Sequence, residues 1–236
     1  MSYKTNFGDL SVSGALNANT FPNSITRYST TQTIPIPAEC NGLIIEMAGG
    51  GGSGGGYGTS SDSGGGGGGG GYIKIYITKQ MISDLPFSSI YFQCGGGGAG
   101  VLGDIDGQNG GNSVCFEQSG YVGLIGQANG GYGGIRGNDY SHGGKGGFGS
   151  VELAYDDIYE VKYGTNGENG YDAGTALAHV HGGNGGDSLF GLGGRGANHI
   201  NNSEDGIRGG GGGGAFYDSR DTSGGGGDGM MQLTFY

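Results

Sequence analysis

Residues 181–196 read HGGNGGDSLFGLGGRG, with glycine at two positions of every three over its first turns and a side chain at the third. Glycine packs no side chain and loses more conformational freedom on folding than any other residue. Either such a stretch never orders, or the missing side chain is what the architecture requires.

The surrounding sequence favours order. Glycine supplies 65 of 236 residues, several times its usual share of about 7%. Collagen is excluded, because there are four prolines and no fixed Gly-X-Y repeat. Disordered glycine-rich chains are poor in aromatic and β-branched residues, yet aromatics make up 10% here. Compact apolar runs punctuate the glycine. LIIEMA (43–48), YIKIYIT (72–78), SIYFQC (89–94) and MQLTFY (231–236) read as short strands.

The formal charge is −11 and no basic residues cluster, so nucleic acid and anionic membranes are poor partners. No apolar run approaches the roughly 20 residues of a membrane-spanning helix. The opening MSYKTNFGDL lacks the apolar segment of a signal peptide, so synthesis in a cytoplasm is expected. Cys40, Cys94 and Cys115 are odd in number and sit in or beside apolar strands. Buried reduced thiols are therefore expected rather than a disulfide framework.

Two regions are expected. Residues 1–33 include GDLSVSGALNANTF, which reads as one or two short strands, followed by the Ser/Thr-rich connector TRYSTTQT. From residue 34 to 236 a different grammar holds: a proline-stiffened extended segment, a buried strand, then glycine. Glycine tracts recur at 49–56, 64–71, 95–100, 130–134, 143–149, 209–214 and 224–229. NGGNSVCF (109–116) and NGGDSLF (184–190) repeat one pattern, Asn-Gly-Gly-Asn/Asp-Ser-apolar.

Period three is that of polyproline II, a left-handed helix rising about 3.1 Å per residue with no internal hydrogen bonds. In glycine it leaves every N–H free to donate and every C=O free to accept. Without Cβ atoms, neighbouring rods can approach closely enough to bond on several sides. The expected fold is mainly irregular and β, a polyglycine II sandwich with short flanking strands. Substituted positions such as Asn184 and Asp187 must point outward or mark tract ends.

No catalytic or cofactor signature stands out. The many G-x-G-x-x-G matches follow from glycine density, and no P-loop lysine is present. No nucleophile–base pairing or G-x-S-x-G elbow occurs, so no enzyme and no cofactor are expected. His179 and His181 have metal-ligand spacing on a strand, and the bland alternative is two polar residues where a loop re-enters the glycine core. Asp104 and Asp106 resemble part of a calcium loop without its glutamate, and they read as solvated loop acids.

The segments between tracts are rich in Tyr, Ser, Asn, Asp and Gly, the mixture of rigid aromatic anchors and adaptable polar groups that antibody loops use. Candidate contact residues are Tyr57, Asp62, Tyr121, Tyr132, Asp139, Tyr140, Tyr171, Asn198, Phe216, Tyr217 and Arg220. The alternative role for the aromatics is to cap the rod ends.

From TIPIPAECNGLIIEMAGGGGSGGG through GGGGYIKIYIT and NGGDSLFGLGGRG to GGGGDGMMQLTFY, the chain resembles the glycine-rich tip adhesins of T-even-type phage tail fibres. GDLSVSGALNANTF is similar to strand repeats of trimeric phage fibres. The resemblance implies a stack of polyglycine II helices whose distal loops bind an outer-surface receptor, protein or glycan. It also implies a homotrimer joined to other fibre proteins through residues 1–33, located at the virion's fibre tip and not inserted in a membrane. Two other readings stay open: an ice-binding (antifreeze) protein of polyglycine II type, and a structural virion protein without receptor contact.

Overall fold

A computed structural model describes residues 24–58, 62–84, 88–118, 122–137, 149–150, 159–170, 181–198, 200–216 and 222–236. The strands expected within residues 8–21 lie outside them. The described chain is mostly strand and extended tract, with one short helix.

Strands β1 (Ser24–Tyr28), β2 (Gln32–Pro35), β3 (Gly42–Ala48), β4 (Tyr72–Thr78), β5 (Ser89–Gln93), β6 (Ser113–Gln118), β7 (Val122–Ala128), β8 (Gly149–Ser150), β9 (Tyr159–Lys162) and β10 (Met230–Phe235) form two five-stranded sheets. Their orders are β1-β10-β3-β4-β9 and β2-β5-β6-β7-β8, antiparallel throughout. The four apolar runs chosen from sequence become β3, β4, β5 and β10. β1 and β2 each join one of the sheets, so the expected boundary at residue 33 falls inside this pairing.

Alternation places one face of each sheet on a shared core. Leu43, Ile45 and Met47 of β3, Ile73, Ile75 and Ile77 of β4, and Met231 and Leu233 of β10 meet Ile90, Phe92, Cys115 and Ile125 from the second sheet. Gly126 lets the sheets close here, because a Cβ would stand 2.7 Å from Ile75 Cδ1. Helix α1 (Lys79–Asp84) was not foreseen. Thr78 Oγ1 accepts from Met81 N at its start, and Met81 packs into the core.

The outer face of the first sheet is polar. Arg27, Gln232, Glu46, Lys74 and Glu160 stand in register across five strands. Glu46 accepts from Tyr72 Oη at 2.7 Å and Gln232 Nε2 at 2.8 Å. Burial first, and then this bond to Glu46, hold the Tyr72 phenol well above its ordinary range.

The three cysteines are free thiols, with Cys40 and Cys115 buried. Burial pushes the Cys115 thiol up, and pushes Cys94 up to about 11 with a smaller contribution from Asp228. A raised folded-state pKa means stability that is complete below the unfolded value and lost as pH climbs through the folded one. Denaturation midpoints are therefore expected to fall between pH 9 and about 11 for Cys94. Urea titrations across that range check this, and a flat profile contradicts it.

The glycine tracts continue the strands beyond the sandwich. β3 runs into 49–56, tract 63–71 into β4, β5 into 95–100, tract 105–111 into β6, β7 into 129–137, β9 into 163–170, and tract 222–229 into β10. Tracts 181–188, 191–198, 204–207 and 209–216 complete the described set.

Bonding between tracts follows a period of three. Gly49, Gly52 and Gly55 donate to Gly71, Gly68 and Gly65; Gly50, Ser53 and Gly56 donate to Gly111, Gln108 and Ile105. Gly51 and Gly54 donate to Gly227 and Gly224. The carbonyls of this same tract accept from 131, 134 and 137 on one side, from 212 and 215 on another, and from Gly98 on a third. All these N···O distances are 2.8–3.0 Å. Tract 49–56 thus bonds to six neighbours, and tract 209–216 also has six, namely 49–56, 63–71, 181–188, 191–198, 204–207 and 222–229.

Glycine content per period follows position. The enclosed tracts are nearly pure glycine. Tract 181–187, on the outside, keeps two glycines in three, and its His181, Asn184 and Asp187 fall on the outward position. Tract 163–170 keeps one, at Gly164, Gly167 and Gly170, where a Cβ would collide with carbonyls of residues 69, 66 and 63.

Asn and Asp side chains complete the edges. Asp106, Asn109 and Asn112 accept through Oδ1 from the amides of Arg136, Gly133 and Gly130 at 2.8–3.0 Å. Asn184 and Asp187 do the same for Gly196 and Gly193 at 2.9 and 2.8 Å. Each carboxamide or carboxylate oxygen stands where another tract's carbonyl would otherwise be. Asn109→Ala is expected to cost about 0.5–1.5 kcal/mol, whereas Asn109→Asp, which keeps an acceptor, stays near wild type. Thermal melts of the two variants check this.

Candidate functional site

The tracts have a polarity. One end meets the sandwich, where the connections 188–191 and 207–210 turn tightly. In the second, Gly210 N donates to Ile207 O at 2.9 Å across Arg208 (φ 46) and Gly209 (φ 84). At the opposite end lie the described turns 101–104 and 200–203 and the tract ends at residues 57–58, 62, 137, 170, 181, 198, 216 and 222. Several tract ends far apart in sequence therefore gather on one tip. This tip is the candidate site.

Its described part has defined geometry. Gly103 turns the chain with φ 82, and Ile105 N donates to Gly103 O at 2.9 Å. Arg136 Nε lies 3.3 Å from Asp104 Oδ1, tying this turn to tract 129–137. Asn198 Oδ1 accepts from Ile200 N and Asn201 N at 2.9 and 2.8 Å, which fixes the turn that projects Ile200. Ser203 Oγ donates to Thr222 O at 2.6 Å. The result is a polar, hydrogen-bonded frame with exposed aliphatic groups, Leu102, Ile105 and Ile200, the last 75% exposed.

The residues expected from sequence divide among several places. Tyr57 and Asn198 are at the tip and half-buried. Asp62 is at the tip but only 3% exposed, and Gly58 N donates to its carbonyl. Phe216 is 5% exposed at the tip end of its tract, a position that suits capping better than contact. Tyr132 is exposed but sits midway along tract 129–137, where its carbonyl accepts from Gly68 N. It belongs to a flank and not to a loop. Tyr121, Asp139, Tyr140, Tyr171, Tyr217, Arg220 and His179 lie outside the described residues.

His181 is half-buried, with Nδ1 2.8 Å from Gly182 O. Among the described residues, no three His, Cys, Asp or Glu side chains converge as metal ligands. Asp104 and Asp106 are engaged with Arg136 rather than free loop acids. Sequence reasoning missed Leu102, Ile105 and Ile200. Their signal was present as large aliphatics inside the otherwise polar segments VLGDIDGQN and ANHINNSEDGIR.

No helix among the described residues is long and apolar enough to cross a membrane. No curated protein matches the chain. A family profile described as a glycine-rich domain matches residues 26–236, from β1 through the last strand. The chain therefore belongs to the glycine-rich domain family.

Proposed function

We propose that this chain is a receptor-binding adhesin at the tip of a phage tail fibre, its tracts polyglycine II helices packed into a stiff platform. The period-three bonding of tract 49–56 to six neighbours supports the helix assignment. An eight-residue tract at that rise is about 25 Å long. The observation that carries the functional reading is the gathering of tract ends far apart in sequence, with the turns 101–104 and 200–203, on one end opposite the sandwich. Such a platform pre-organises its loops, and pre-organisation lowers the entropic cost of binding. The tip combines exposed aliphatics with polar groups held by backbone bonds, a surface suited to a protein or glycan on a bacterial exterior. Residues 1–33 join the adhesin to the rest of the fibre, and many tips on one virion let weak contacts add. Its role is binding, with no catalytic step.

Replacing Leu102, Ile105 and Ile200 together by serine is expected to slow adsorption to host cells at least about tenfold while leaving the melting temperature within a few degrees. Unchanged adsorption by the folded variant rejects the reading and favours a structural virion component. Thermal hysteresis in the wild-type protein would favour ice binding.

A further inference from the structure

The lattice has an edge that differs from the others. Tract 95–100 reads GGGGAG and bonds on one side to tracts 49–56, 105–111 and 222–229. On its other side, among the described residues, Gly96 N and Ala99 N have no acceptor and the carbonyls of Gly97 and Gly100 have no donor, so donors and acceptors recur every three residues. Gly96, Ala99 and Gly100 are exposed. At other edges the outward positions carry side chains, among them Asn109, Tyr132, Glu168, Asp187, Leu192 and Arg195. Here the outward positions are Gly96 and Ala99, so nothing larger than a methyl group stands over the backbone.

One glycine at this edge, Gly96, also lacks an internal reason. Across the lattice a Cβ would press on a neighbouring carbonyl. At Gly96, however, it would meet nothing within 4 Å. At Gly111 and Gly225, on the two flanking tracts, the nearest atoms would be 3.1 and 3.3 Å away. Gly96 is therefore a glycine that the chain itself does not demand, whereas Cβ atoms at Gly95, Gly97, Gly98 and Gly100 would press on the carbonyls of Gly111, Gly226, Gln108 and Ser223. An exposed row of unpaired N–H and C=O groups is a template for another chain.

We propose that a second copy of this chain docks here, with the two 95–100 edges against each other and their free amides and carbonyls paired across the contact. An occupant must approach the backbone closely, with nothing larger than the Ala99 methyl in between. It must also offer donors and acceptors at the same period. The edge itself meets both requirements and is self-complementary. Residues 95–100 carry no charged side chain, and the neighbouring acid Asp228 has its carboxylate engaged by Gly97 N at 2.8 Å. A twofold contact of this kind uses the same patch on both copies and closes at two. The edge is short, about 19 Å at 3.1 Å per residue, so the dimer is a weak one.

Sedimentation velocity on the full chain over a concentration series tests this. The wild-type mass rises towards two copies as concentration increases. Gly96→Glu weakens association at least about tenfold. So does Ala99→Glu, at an exposed position that already carries a Cβ and where folding is therefore secure. Leu192→Glu, on a different edge, associates like wild type, and dilute samples of all four melt alike. A wild-type protein that stays monomeric throughout overturns the proposal. It is equally overturned if the Glu variants at 96 and 99 associate normally, or if Leu192→Glu is impaired to the same degree.

Discussion

Gly67→Ala is expected to destabilise the chain by about 3 kcal/mol or more, the upper end of what overpacking costs. Gly67 lies in an enclosed tract, where its N–H donates to Gly212 O and its carbonyl accepts from Gly186 N. An added Cβ would stand 2.5 Å from the carbonyl carbon of Gly52 and 2.7 Å from Ser53 O. Those atoms are backbone, held by their own bonds on further sides, so they cannot move aside as a flexible side chain would. At about 2–4 °C per kcal/mol for a chain of this size, melting drops by roughly 10 °C. Gly96→Ala is the matched control. It meets nothing within 4 Å, so in dilute protein it is neutral or stabilises by about 0.4–1 kcal/mol. Calorimetry of the pair decides whether contact between backbones is what requires glycine.

Phe92→Ala should cost about 3–5 kcal/mol. Phe92 is fully buried between the sheets among Leu43, Ile75, Ile90 and Leu233, and truncation leaves a cavity that strands fixed on both faces cannot fill. The lattice cannot remain folded without the sandwich, because β3, β4 and β10 are the same chain segments as tracts 49–56, 63–71 and 222–229. Phe92→Ala and Gly67→Ala should therefore shift one shared transition. Circular dichroism and tyrosine fluorescence should report the same midpoint, and separate midpoints would mean that lattice and sandwich fold independently.

The candidate site was partly legible in the sequence. Segments such as VLGDIDGQN and ANHINNSEDGIR stand out because their composition breaks from glycine, and the structure puts 101–104 and 198–203 together at the tip. Which side chains project there was not legible. Tyr132 looked like a loop aromatic, but the period of its tract assigns it to a flank. Phe216 reads in sequence as either a contact or a cap, and its burial at the end of an enclosed tract fits the cap. Leu102 and Ile200 looked like ordinary apolar residues, but Gly103 and the Asn198 turn place them outward.

The repeated motif marks the same division. In both NGGNS and NGGDS the first Asn and the Asn or Asp three residues on accept amides of the next tract, and the serine hydroxyl accepts from Gly95 in one case and Gly191 in the other. Yet after Ser113 the chain continues as β6, whereas after Ser188 it reverses. Both continuations begin with an apolar residue, and only the presence of β5 and β7 on either side of the first makes a strand there.

By itself the sequence determined the repeat length, the apolar strands and the tracts in which glycine is concentrated. These depend on local periodicity and on the volume of one residue. Tertiary structure decided which tracts lie inside, which edge stays bare and which segments share the tip. A backbone hydrogen bond is available equally to every glycine, and only the packing of distant tracts assigns each one its partner.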